Sequence, residues 1–111
     1  MTEELSRLVA DGCGLRIVVE QAQTLLVLTD WRETEQRIRL VGVVWLEDWG
    51  FVGESLAAAS WGLDPNLLTR VCESLDENPA DFQCLKVYGS WGEKPILQIV
   101  AESVHIMIQE A

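Results

Sequence analysis

Hydrophobic and polar positions alternate with a period of two over much of this 111-residue chain. That is the spacing of strands with one buried face and one wet face. It is clearest in residues 36–49, where Ile38 and Leu40 alternate with Arg37 and Arg39 before both faces turn apolar from Val41 to Leu46. The β-branched and aromatic content favours strand, and Gly42 inside a helix would cost about 1 kcal/mol. The pattern predicts one central strand, half covered at its start and sandwiched at its end, with Gly42 marking a bulge or a close backbone approach. Leu15, Ile17 and Val19 predict a first strand. Residues 24–31 predict a second, interior one, because Leu25 to Leu28 is apolar on both faces. The short connections between these runs imply an antiparallel meander.

Helical spacing occurs twice. Thr2 can cap a short first helix with Glu3 and Glu4 placed for the helix dipole; Leu5, Leu8 and Val9 form its stripe and Asp11-Gly12 ends it. The stronger signal is Asp64 as N-cap, Pro65 at the first helical position, and Leu63 with Leu68 as a hydrophobic staple. Leu67, Leu68, Val71, Cys72 and Leu75 share one face of that helix, which should run to about Asp76 before Asn78-Pro79 closes it off. The Gly-, Ala- and Ser-rich residues 51–63 are read as holding one short helix near 56–61. Strands follow at 82–88, 96–101 and 104–108, with residues 89–95 as a hairpin loop. The apolar phase slips by one residue near Glu102-Ser103, which requires a bulge or tight turn. The expected architecture is a single α+β domain over residues 1–111. It has a mostly antiparallel sheet of five or six strands and a short N-terminal helix. The main helix lies on one face, with Leu67, Val71 and Leu75 against a sheet holding Ile38, Leu40 and Val44.

Charge narrows the function classes. A net charge of −10 repels phosphate backbones and anionic membranes and attracts a basic partner. No apolar run approaches the ~20 residues a membrane helix needs, and no signal-peptide pattern opens the chain, so a reducing cytoplasm is the expected setting. Cys13, Cys72 and Cys84 contain no C-x-x-C pair, which argues for reduced thiols rather than a disulfide framework or zinc site.

Catalytic chemistry is hard to assemble. His105 is the only histidine, and no nucleophile elbow, phosphate-binding glycine loop, dinucleotide fingerprint or calcium loop occurs, so no cofactor or metal is expected. Glu47 and Asp48 lie between Trp45 and Trp49, but adjacent strand residues point to opposite faces and would not share a substrate. The five tryptophans are the better clue: Trp45 reads as core, while Trp31, Trp49 and Trp91 fall at strand ends or in loops beside carboxylates. The expectation is a non-enzymatic acidic protein-binding domain, in one version an inhibitor or immunity-type protein that masks a basic partner. Its contact residues would be Glu47, Asp48 and Trp49, with Trp91 and Glu93 nearby. The alternatives are a small-ligand or carbohydrate-binding domain using tryptophan faces and carboxylates, and a subunit that self-associates through its strands.

Overall fold

The chain is α+β, and its period-two stretches form two sheets rather than one. The computed structural model describes residues 2–10, 12–21, 23–30, 32–50, 56–90 and 93–108, with the side chains of 12–14, 30 and 108 left aside. Among them the order is α1 (Thr2–Ala10), β1 (Gly12–Val19), β2 (Gln23–Asp30), β3 (Glu35–Val41), β4 (Trp45–Asp48), β5 (Leu56–Gly62), α2 (Pro65–Leu75), β6 (Gln83–Gly89), β7 (Pro95–Ala101) and β8 (Ser103–Ile108). A single 3-10 turn, Pro79–Asp81, joins α2 to β6. The first sheet has strand order β1-β2-β3-β8 and the second β4-β7-β6-β5, every pairing antiparallel.

The extra strands come from a corner that the alternation alone does not reveal. The expected single strand over residues 36–49 is instead β3 in the first sheet and β4 in the second, broken at Gly42, whose φ is +66°. The phase slip at Glu102 is the same event on the neighbouring chain segment, since β7 belongs to the second sheet and β8 to the first. The two crossings run side by side: the Glu102 N–H donates to the Val41 carbonyl at 3.0 Å, and the Val44 N–H to the Val100 carbonyl at 3.0 Å. The positive φ favours glycine at position 42, and a Cβ there would also meet the exposed Glu102 side chain at 2.5 Å, which would have to move aside. A two-stranded ribbon thus bends from one sheet into the other.

The sheets face each other across the main core. Leu26, Leu28, Ile38, Leu40 and Val104 of the first sheet meet Ala59, Leu85, Val87, Leu97, Ile99 and Ala101 of the second, and Leu5 and Val9 of α1 join them. β2 is interior, as its two apolar faces predict.

The main helix lies elsewhere than expected. Leu67, Leu68, Val71 and Cys72 of α2 pack with Phe82, Cys84 and Val100 on the outer face of the second sheet, with Val44 and Trp45 alongside. Ile38 and Leu40 belong to the other core, and Leu75 is 47% exposed, so of the predicted contact only Leu67 and Val71 of the helix and Val44 of the sheet are found there. Asp64 caps α2 as predicted, its Oδ1 accepting from the Leu67 N–H at 3.2 Å. Leu63 is exposed, so the staple does not form. Asp76 ends the helix in the left-handed region at φ +56°, with its N–H directed to the Cys72 and Glu73 carbonyls.

Residues 56–61 are strand β5, not the expected helix. Alanine is the best helix former, but propensity is a weak guide, and tertiary context overrides it here. The context is α1. Ser6 Oγ donates to the Ala59 carbonyl at 2.7 Å and accepts from the Ala59 N–H at 3.2 Å. Thr2 Oγ1 likewise donates to the Trp61 carbonyl at 3.4 Å and accepts from its N–H at 3.2 Å. The two hydroxyls stand four residues apart, on one helix face, and satisfy alternate residues of the edge strand. Thr2 therefore serves β5 with the hydroxyl that the sequence assigned to helix capping.

Candidate functional site

β4 is the opposite edge of the second sheet, and the candidate contact residues are built on it. Among the described residues it pairs only with β7, in the register Trp45↔Val100, Leu46↔Ile99, Glu47↔Gln98, Asp48↔Leu97. The Trp49 N–H extends that register by donating to the Ile96 carbonyl at 2.8 Å. Alternation then places Trp45, Glu47 and Trp49 on the outer face and Leu46 and Asp48 on the other, and directs the Leu46 N–H and C=O away from β7.

Arg70 of α2 shows what this row of side chains accepts. Its guanidinium carbon lies 5.7 Å from the centroid of the Trp45 ring, and its Nη2 is 4.0 Å from Glu47 Oε2. The tryptophan face and the carboxylate together hold one guanidinium, a cation–π contact supplemented by a weak ion pair. Trp45 is thereby only partly buried, packed beside the α2 core rather than within it.

One step along the strand Glu47 also shares its face with Trp49, and no cation among the described residues lies over that ring. Trp49 keeps 64% of its surface exposed although its backbone is anchored to β7, and Leu46 keeps 37%. Asp48 Oδ1 accepts from the Gly50 N–H at 2.8 Å, and Gly50 takes φ +92°, outside the strand conformation. Asp48 thus shapes the end of the strand, while Glu47 is the carboxylate that shares a face with both tryptophans.

Glu93 is exposed in the β6–β7 hairpin, at the end of the sheet where Trp49 meets Ile96. The expectations for Trp31 and Trp91 lie outside the described residues, as does that for the Cys13 thiol. Cys72 and Cys84 are free and buried, and burial pushes both thiols up from their ordinary pKa.

A second polar feature lies beside the N-terminus of α2. Lys86 Nζ donates to Asp64 Oδ2 on the floor of a depression of about 270 Å³ bordered by Ser60, Trp61, Leu63, Cys84 and Tyr88. The lysine hydrogen bond holds the Asp64 carboxyl below its ordinary value, and the same bond raises Lys86. Both groups are consumed in fastening α2 to β6, with Asp64 also capping the helix. His105 is exposed on β8, its Nε2 3.3 Å from Ser103 Oγ.

In the sequence Arg70 is one residue of the polar face of α2. Its role depends on which sheet face receives α2, a long-range fact with no local signal. No helix among the described residues is long and apolar enough to cross a membrane. Comparison of the chain with family models, with curated proteins and with solved structures returns no match.

Proposed function

We propose that the protein is a non-enzymatic, acidic protein-binding domain that receives an extended, basic segment of a partner along β4. The reading is supported above all by the unequal edges of the second sheet. β5 is closed by hydroxyls of α1, while β4 carries exposed Leu46 and Trp49 beside Glu47 and Asp48. An unpaired sheet edge is a template for strand addition, in which main-chain hydrogen bonds give affinity and alternate side chains give specificity. A partner lysine or arginine would lie between Glu47 and Trp49 as Arg70 lies between Trp45 and Glu47. The net charge of −10 would steer such a segment inward, and tryptophan would supply desolvated contact area.

The test is titration with a peptide alternating lysine and valine, for the parent and two variants. Trp49→Ala should raise the dissociation rate, at a cost of ~2 kcal/mol. Leu46→Pro should abolish binding while the protein stays folded, because that N–H points away from β7 and proline is tolerated at such positions. Unchanged affinity in both variants would refute the proposal.

A further inference from the structure

The outer face of the first sheet carries charge of the opposite sign. Register places Arg16 and Val18 of β1, Leu25 and Val27 of β2, Glu35, Arg37 and Arg39 of β3, and His105 and Met107 of β8 on this one surface. Three of the chain's six arginines thus meet on one face of a protein with net charge −10. α1 lies against β5 and α2 against the second sheet, and no described helix or strand lies over this one.

Antiparallel sheets often leave one face in water, but such faces are then polar in their centre. Here the centre is apolar. Leu25 and Val27 are buried and yet belong to neither core cluster, so side chains of their own face cover them. Arginine stems do this while their guanidinium groups stay at the surface. The arrangement leaves Arg37 Nε and Arg39 Nε buried with no hydrogen-bond partner. Glu35 lies 3.6 Å from Arg16 and 3.3 Å from Arg37, and no described carboxylate pairs with Arg39.

We propose that this face docks an acidic protein segment, in which glutamates or aspartates flank a leucine-like side chain. Carboxylates would draw the Arg39 and Arg37 guanidinium groups outward into bidentate pairing, which relieves their unpaired Nε hydrogens. The same movement opens the strip over Leu25 and Val27 to the apolar side chain. Nucleic acid fits less well. The face has no Phe, Tyr or Trp among the side chains named for base stacking, and a long polyanion would run beyond it onto acidic surface. A short segment stays within the face, where screening leaves only near charges to act over about 8 Å at physiological salt.

The experiment is fluorescence anisotropy with a labelled peptide of leucines among glutamates, set against a lysine-for-glutamate peptide and a single-stranded oligonucleotide. The glutamate peptide should bind the parent protein, and Arg39→Gln should weaken it roughly tenfold. Arg16→Glu should weaken it too; the Arg16 side chain is 64% exposed, so this variant folds regardless of the first. Replacing the peptide leucines with serine should also lose binding. The proposal is overturned if the glutamate peptide fails to bind, if both variants bind like the parent, or if the oligonucleotide binds as tightly. Arg39-dependent self-association at the peptide's expense would overturn it as well, by assigning the face to a second copy.

Discussion

The two edges of the second sheet solve the same problem in opposite ways. β5 would expose its backbone groups, and Ser6 and Thr2 on one face of α1 satisfy them while Leu5 and Val9 of that helix enter the core. β4 has no such cover among the described residues, and it places its two large exposed apolar side chains beside carboxylates. An uncovered edge invites aggregation, and acidic residues along it are one way natural proteins limit that hazard. The closed edge serves the architecture, and the open one is where we propose that a partner binds.

The largest effect should come from breaking the closed edge at its apolar anchor. Leu5 is fully buried, and Leu5→Ala should cost about 2–5 kcal/mol of stability in chemical denaturation. Ser6→Ala should cost less, about 1–3 kcal/mol, because it strands the Ala59 N–H and C=O without creating a large cavity. On the open edge, Trp49→Ala should change stability by no more than about 0.5 kcal/mol, the range of surface substitutions. A loss comparable to that of Leu5→Ala would place Trp49 in the core and remove the contrast.

The polar clamp gives a pH-dependent effect, smaller than that of Leu5→Ala, that separates α2 from both edges. The fold lowers the Asp64 pKa, so its charge stabilises the protein above the unfolded carboxylate value and that stability is lost as pH falls through the folded value. Asp64→Asn keeps a good helix cap but loses the ion pair. It should be less stable than the parent by about 1 kcal/mol at neutral pH. The gap should close in acid as the parent's carboxyl protonates. Lys86 gives the mirror case: its raised pKa means that its contribution fades only as pH rises through that value, in strongly alkaline solution. Equal acid sensitivity in parent and variant would contradict the assignment. The smallest effect is expected at Asp76, where glycine would take the left-handed cap angle at lower cost and add a few tenths of a kcal/mol.

What the sequence discloses divides along the same line as the physics. α2 is legible from Asp64 to Asp76 because a cap, a proline and an apolar stripe are all local signals. β2, β6, β7 and β8 appear within a residue or two of their predicted positions, since period two is local as well, while β1 begins at Gly12, three residues before the predicted Leu15. The second sheet was hidden because Gly42 and Glu102 read as interruptions within one sheet, when each is a crossing between two. β5 reads as helix in the sequence because its alanines have high helix propensity, while the partners that make it a strand edge, Thr2 and Ser6, lie more than fifty residues away. At the candidate site, the opposite orientation of Glu47 and Asp48 follows from alternation. The edge position of β4 and the seat of Arg70 follow only from strand order.

The contrast between the edges can be read directly from amide hydrogen exchange at Leu46 and Ala59. In the free protein the Ala59 amide, bonded to Ser6 Oγ, should exchange slowly, and the Leu46 amide should exchange rapidly. Saturation with the lysine–valine peptide should slow Leu46 and leave Ala59 unchanged. Equal protection of the two amides in the free protein, or no change at Leu46 when the peptide is bound, would contradict the account.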